Sequence, residues 1–256
     1  MRTGGLVSEG PQVKLTTERL SRYLAGQAIA DCKTTRPNLA EFAERARGRK
    51  VERLWCKGKH IFLDFGGDVF LQNHLLMRGS WRKVAGRLLL LPEEMWLALE
   101  VDHITVCNYR GQMLRPLDGG QVQEQLSALG PDAMDSECTR DDIAAALAAS
   151  DLPVGEAVLQ QSLLSGVGNV AKSEALFLAG VHPEIQAGVL AEERLAGLAR
   201  AIQQVMWDAY HAGGRWTHRV YRRAGQKCFE CGSKLRMIRQ GKASRSTYFC
   251  PFCQRL

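Results

Sequence analysis

The stretch LSGVGNVAKSE (residues 164–174) joins two segments with helical spacing. Gly166 and Gly168 allow a turn whose backbone N–H groups point outward. Asn169 is predicted to cap the next helix, whose N-terminal end suits a phosphate. Taken alone, so short a pattern favours an ordinary helix–helix turn. The sequence on either side must therefore decide between the two interpretations.

Helical patterns surround this turn, after a break at LGPD (129–132). They are RDDIAAALAASD (140–151), GEAVLQQSLLSG (155–166), NVAKSEALFLAG (169–180) and LAEERLAGLARAIQQVMWDAYHAGG (190–214). Gly180, Gly213 and Gly214 stand where these helices should stop. We therefore expect a helical domain at residues 130–216.

The residues before the break are rich in strand-like patterns. A helix is predicted over residues 15–30, with Gly26 as its stop. Strand-like runs follow in KVERLWCKGKHIFLDFGGDVFLQNHL (50–75), RLLLLP (87–92), MWLALEVDHITVCNYR (95–110) and QMLRPL (112–117), with a hairpin signal at FGGD (65–68). Strands followed by helices indicate an α+β protein. Residues 1–125 are predicted to form a β-rich domain with one N-terminal helix.

Four of the eight cysteines are paired in two Cys-x-x-Cys turns. Cys228 and Cys231 are separated by 18 residues from Cys250 and Cys253. Two such turns can close a tetrahedral zinc site, and the residues between them suit a β-hairpin. The alternative, a pair of disulfides, is disfavoured in a reducing compartment. We expect one structural Zn²⁺ in a finger at residues 217–256. The remaining cysteines show no ligand spacing and are typical of core residues: Cys32, Cys56, Cys107 and Cys138.

Positive charge is concentrated at the C-terminal end. The chain carries +7 overall, but residues 217–256 hold ten lysines and arginines against one glutamate, which leaves −2 for residues 1–216. A solvated tail or a membrane-surface patch would also fit a basic block. The interleaved aromatic residues and cysteines favour a folded surface for a polyanion such as nucleic acid. No apolar run is long enough for a membrane span, and the N-terminus lacks the apolar core of a secretion signal, so we expect a cytoplasmic protein.

Several short segments, in order, carry a resemblance to a known family. They are SEGP (8–11), KGKHIFLDF (57–65), NHLLMRGSWR (73–82), LGPD (129–132), GVGNVAKSEALFLAGVHP (166–183) and the four-cysteine hairpin, with Arg245 five residues before Cys250. From Ser8 onward the chain resembles the formamidopyrimidine-DNA glycosylase/endonuclease VIII family of base-excision repair enzymes. The resemblance implies an N-terminal antiparallel β-sandwich, a helix-two-turn-helix domain and a zinc-finger hairpin. It also implies a bacterial, nucleoid-associated monomer that binds damaged double-stranded DNA.

The same resemblance assigns catalytic roles. Ser8 would be the nucleophile through its α-amine, which forms a Schiff base and permits β- and δ-elimination. Glu9 would be the general acid/base. Lys59, expected on a strand at residues 57–64, would lie near the DNA backbone, with Lys57 as the alternative if the register is shifted.

Other residues are assigned to DNA binding. Asn169, with Gly168 beside it, and Arg245 would hold phosphates that flank a nucleotide flipped out of the duplex. Leu76, Met77 and Arg78 occupy the loop from which the family inserts wedges into the gap. His74, just before this loop, is grouped with the DNA-binding residues, although its own pattern favours a packed imidazole.

Two departures from the family pattern bear on activity. The segment NYRGQM (108–113) is short and lacks the Phe of the purine-specific branch. Its absence favours the endonuclease VIII branch, which prefers oxidised pyrimidines, but the sequence does not identify the lesion. Residues 1–7 precede Ser8, and an amine locked in a peptide bond cannot form a Schiff base. We expect these residues to be a leader or a misassigned start, with Val7 in the place of the initiator. The alternatives are a catalytically silent damaged-DNA-binding protein of the same fold and a zinc-ribbon RNA-binding protein.

Overall fold

The computed structural model describes residues 8–111 and 113–256, which divide into two compact units. The first contains Ser8 and residues Val13–Ser127. The second contains the short segment Glu9–Gln12 together with residues Ala128–Leu256. The first helix, α1 (Gly10–Leu24), therefore starts in one unit and continues in the other.

The first unit contains two four-stranded antiparallel sheets. One has the strand order β1 (Asp31–Thr34), β6 (Met95–Val101), β7 (Ile104–Tyr109), β5 (Ser80–Ala85), and the other has the order β2 (Arg53–Lys57), β3 (His60–Asp64), β4 (Phe70–His74), β8 (Met113–Leu117). A single apolar cluster takes buried side chains from both sheets and from α1, among them Leu20, Leu63 and Leu99. The predicted β-sandwich and the α+β class are confirmed.

The helices of this unit exceed the one N-terminal helix that we predicted. α1 begins before residue 15 and ends at Leu24, just ahead of Gly26 with its φ of 76°. Two short helices follow, α2 (Ala40–Ala46) and α3 (Gly119–Ser127), and a 3-10 turn at Pro37–Leu39 leads into α2. α2 forms because Phe42 and two alanines on one face are buried in the cluster between the sheets.

The strand predicted at RLLLLP (87–92) was wrong, because these residues form a loop between β5 and β6. Gly86, with a φ of 72°, turns the chain away after β5, and Pro92 has no N–H to donate to a sheet. Leu89 and Leu90 are 89% and 86% exposed. A run of leucines was therefore a misleading strand signal in this loop.

The second unit consists of helices and one hairpin. Its elements are α4 (Arg140–Ala148), α5 (Val154–Ala157), α6 (Asn169–Leu178), α7 (Glu192–His211), β9 (Arg236–Gln240) and β10 (Arg245–Phe249). Thr139 and Asp142 form a capping box that starts α4. No helix among residues 8–111 and 113–256 is long and apolar enough to cross a membrane.

The helix predicted at GEAVLQQSLLSG was mostly wrong, because only α5, a single turn, forms there. Turns follow it up to Gly168, and Gln161 holds them together. Its amide donates to the carbonyls of Leu159 and Val167, and its Oε1 accepts from the Gly166 N–H. A side chain that bonds to backbone groups in this way competes with continued helix.

Candidate active site and DNA-binding residues

Glu9 lies in the second unit, in a short segment anchored at several points. The Gly10 N–H donates to the Gly166 carbonyl at 2.9 Å. The Gln12 side chain accepts from the Glu9 N–H at 3.0 Å and donates to the Gly214 carbonyl at 2.6 Å. Ser8 is half-buried and covalently precedes this anchored segment. Residues 1–7, on which the expected leader depends, lie outside the described residues.

The Glu9 carboxylate sits on the N-terminus of α6. It accepts hydrogen bonds from the N–H groups of Gly168 (3.2 Å), Val170 (2.8 Å) and Ala171 (3.1 Å), and the residue is only 1% exposed. Free N–H groups and the helix dipole stabilise a negative charge at this position. The geometry therefore holds Glu9 as a rigid carboxylate directly after Ser8.

This arrangement corrects the predicted role of Asn169 as a helix cap. Gly168 is the N-cap residue, and Asn169 is the first residue of α6. The N–H groups expected to face a phosphate are occupied by Glu9 instead. The reason for a glycine at 168 is steric, because a Cβ there would collide with the Glu9 side chain.

Asn169 is half-buried, and its Oδ1, an acceptor, is buried without a hydrogen-bond partner in the described part of the chain, so only its amide N–H groups could donate to a phosphate. Arg245 is exposed and is the first residue of β10, opposite Gln240 in the hairpin register. Both residues belong to the second unit, together with Glu9 and Gly168.

In the first unit, Lys59 lies in a turn, which corrects its predicted place on a strand. β2 ends at Lys57 and β3 begins at its partner His60, and Gly58 adopts a φ of 59° between them. The alternative, Lys57, donates to the Leu126 carbonyl at 3.2 Å and is engaged in the fold. A positive-φ glycine makes a two-residue hairpin turn possible, and this turn carries Lys59.

Lys59 lies close to two imidazoles. The rings of His60 and His74 are 4.9 Å apart on neighbouring strands, β3 and β4. Burial and then the Lys59 ammonium lower the pKa of His60 to about 4. Burial, then His60 and Lys59, lower the pKa of His74 to about 4. Both imidazoles are therefore neutral at pH 7.

His74 also shapes the loop that follows it. Its Nδ1 accepts a hydrogen bond from the Leu76 N–H at 3.0 Å, while Leu76 adopts a φ of 50°. Leu76 is 38% exposed, Met77 is 71% exposed, and Arg78 is exposed as well. A large apolar side chain held out in solvent suits insertion into a stack of bases.

The four cysteines of the finger come together as predicted. Their Sγ atoms all lie within 4.8 Å of one another, with 3.5 Å between Cys231 and Cys250 and 4.0 Å between Cys228 and Cys253. Tetrahedral zinc with Zn–S bonds of about 2.3 Å places its sulfurs about 3.8 Å apart. The donor set and spacing fit one structural zinc ion.

Gln12 and Lys172 were missed by the sequence interpretation. Gln12 bridges Glu9 to Gly214, and nothing in the local sequence indicates so distant a partner. Lys172 is fully buried. A lysine inside the otherwise apolar run NVAKSEALFLAG was a signal that could have pointed to it.

A β-sandwich, a glycine turn between helices and a four-cysteine hairpin define the class of α+β proteins that carry a zinc finger. The chain matches the formamidopyrimidine-DNA glycosylase N-terminal domain over residues 7–119. It matches the formamidopyrimidine-DNA glycosylase H2TH domain over 129–220 and the zinc finger found in FPG and IleRS over 225–256. The chain therefore belongs to the formamidopyrimidine-DNA glycosylase/endonuclease VIII family of DNA glycosylases.

Relatives carry the names of both branches. A formamidopyrimidine-DNA glycosylase of Cereibacter sphaeroides is 30% identical, covering 96% of this chain and 99% of its own. An endonuclease 8 2 of Mycobacterium bovis is 32% identical with the same coverage. The structure of Lactococcus lactis Fpg bound to DNA containing N7-benzyl-Fapy-dG has a TM-score of 0.85 at 24% identity, covering 97% of this chain and all of that one. The last similarity concerns the fold alone.

Proposed function

We propose that this protein is a bifunctional DNA glycosylase and AP lyase that excises oxidised bases from double-stranded DNA through an N-terminal amine at Ser8. The observation that carries the proposal is the placement of Glu9. A buried carboxylate, fixed by three backbone N–H groups, directly follows the residue whose amine would react. A surface glutamate at this position would have no such anchoring.

An α-amine suits the nucleophilic role. Its ordinary pKa of about 7.7–8.0 leaves a useful neutral fraction at pH 7, whereas a lysine at about 10.4 is almost fully protonated. The amine nitrogen forms a bond to C1′ while the bond from C1′ to the base breaks, and the base leaves with the electron pair and acquires a proton. Opening of the sugar ring then leaves a Schiff base, from which β- and δ-elimination follow.

Glu9 would exchange protons during ring opening. Its fixed position removes the cost of orienting the group at each turnover. As a carboxylate, Glu9 would first accept a proton and then return it to the sugar.

Each unit carries candidate DNA-binding groups of its own. Asn169 and Arg245 would bind phosphates beside the flipped nucleotide, and Lys59 would bind the backbone. The exposed loop of Leu76, Met77 and Arg78 would fill the gap in the duplex. Exposure supports the assignments of Arg245 and of the 76–78 loop, whereas those of the half-buried Asn169 and Lys59 rest on the resemblance and on side-chain chemistry.

The preferred lesion would be an oxidised pyrimidine. β7 ends at Tyr109 and β8 begins at Met113, so the loop between them is short. In this segment Arg110 is followed directly by Gly111, without the Phe of the Arg-Phe-Gly element that the resemblance assigns to the purine-specific branch. Excision of 5-hydroxyuracil and of 8-oxoguanine, compared on matched duplexes, tests this preference.

Borohydride trapping tests the main proposal. A chain made to begin at Ser8 should give a covalent adduct with a duplex that contains an abasic site, and the chain of residues 1–256 should give none. The longer chain is the control, because its residues 1–7 lock the Ser8 nitrogen in a peptide bond. Tight binding of the abasic duplex without an adduct in either form would instead establish a catalytically silent DNA-binding protein.

A further inference from the structure

Lys172 is a fully buried lysine in the middle of α6. Its Nζ donates to Thr247 Oγ1 at 2.7 Å and to the Ser246 carbonyl at 3.1 Å, both on β10. Burying an ammonium group is costly unless hydrogen bonds compensate, so a lysine at this position needs a reason. The reason lies in the two elements that Lys172 connects, α6 and β10, because they hold the two candidate phosphate-binding residues.

Lys172 connects the elements that hold the two candidate phosphate-binding residues. Asn169 is three residues earlier on α6 and so lies on the same face, and Arg245 immediately precedes Ser246 on β10. A second contact joins the same two elements through Ser173 on α6. Its Oγ accepts from the Tyr248 N–H of β10 at 3.3 Å and donates to the Asn169 carbonyl at 3.0 Å. The start of the helix and the start of the strand are therefore tied together.

We propose that Lys172 is a positioning residue that sets the spacing between Asn169 and Arg245 and thereby the affinity with which these two residues bind DNA phosphates. This inference rests on the proposed DNA-binding function. Hydrogen bonds also fix Thr247, the partner of Lys172 on β10, from the side of β9. Its Oγ1 donates to Gln240 Oε1 at 2.6 Å. The Gln240 amide in turn donates to the Pro183 carbonyl at 3.0 Å. A strand fixed on both sides can hold Arg245 at a defined position.

The hydrogen bonds from Lys172 to β10 do not depend on the charge of its side chain. Burial lowers the pKa of Lys172 to about 7, while the Glu9 carboxylate opposes this shift, Arg245 adds to it and Glu156 opposes it. A neutral amine still has two N–H groups, so it can keep both hydrogen bonds to β10. The role is therefore geometric on both sides of neutral pH.

Equilibrium binding of the chain of residues 1–256 to a duplex with a tetrahydrofuran abasic analogue tests the inference. Lys172→Met and Thr247→Val each remove one side of the tie and should weaken binding about fivefold to twentyfold. Thr247→Ser keeps the hydroxyl and should bind within about twofold of the wild type. Lys50→Met, which removes one exposed positive charge in the first unit, should also bind within about twofold.

An Arg245→Ala background distinguishes positioning from general damage. If Lys172 acts through Arg245, Lys172→Met should add less than about twofold there. Equal loss in both backgrounds would overturn the inference, as would wild-type affinity of both Lys172→Met and Thr247→Val. Should Lys172→Met lose zinc or unfold, the comparison of Thr247→Val with Thr247→Ser decides. These assays read binding alone, so a failed borohydride trap leaves their outcome intact.

Discussion

At the scale of single residues, Glu9 combines burial with a negative charge. Glu9→Gln removes the proton-exchanging group and leaves one acceptor oxygen for three backbone donors. In a chain that begins at Ser8, we expect base excision to slow about a hundredfold or more, and the free energy of unfolding to fall by about 1–3 kcal/mol. Single-turnover excision and chemical denaturation measure the two effects. Glu44→Gln, an exposed glutamate on α2, is the control and should change neither.

The hydrogen bond that His74 accepts from Leu76 should make the order of the 74–80 loop depend on pH. The fold lowers its pKa from 6.5 to about 4, so it favours the neutral imidazole, whose Nδ1 accepts from Leu76. This stabilisation is complete above pH 6.5 and is lost as the pH falls through 4. Hydrogen exchange of the 74–80 amides, corrected for intrinsic rate, should therefore accelerate between pH 6 and pH 4. His74→Asn retains an acceptor that does not titrate, and acceleration of equal size in this variant would contradict the assignment.

At the scale of elements, the N-terminus of α6 depends on the absence of a side chain at position 168. A Cβ there would collide with Glu9. Gly168→Ala should displace the carboxylate and slow excision at least about tenfold, although the backbone of Gly168 is in an extended conformation that alanine can adopt. Gly197→Ala, in open space within α7, should leave excision unchanged and stabilise the protein by about 0.5–1 kcal/mol. Excision rates and melting temperatures of the two variants check both statements.

The elements that could be predicted from the sequence are those with local causes. The hairpin at residues 65–68, the helix stop at Gly180 and the cysteine spacing each depend on a few adjacent residues. The cap on α6 could not be predicted, because the Glu9 carboxylate and the Gly168 N–H are 159 residues apart in the chain. The strands predicted at RLLLLP (87–92) and at Lys59 were wrong for a related reason. Strand propensity does not show which residues find a partner strand.

At the scale of the whole molecule, charge is distributed very unevenly. Residues 217–256 carry +9 and the rest of the chain −2, so the C-terminal residues should supply most of the electrostatic attraction to DNA. Each phosphate that a cationic side chain neutralises adds about −0.9 to the slope of log K against log salt concentration. We therefore expect Arg245→Ala and Lys59→Ala each to make this slope shallower by about one. Lys50→Ala should leave the slope unchanged, since its exposed charge has no proposed phosphate contact. Binding titrations from 50 to 200 mM salt measure these slopes, and an unchanged slope for Arg245→Ala would exclude a direct phosphate contact at that residue.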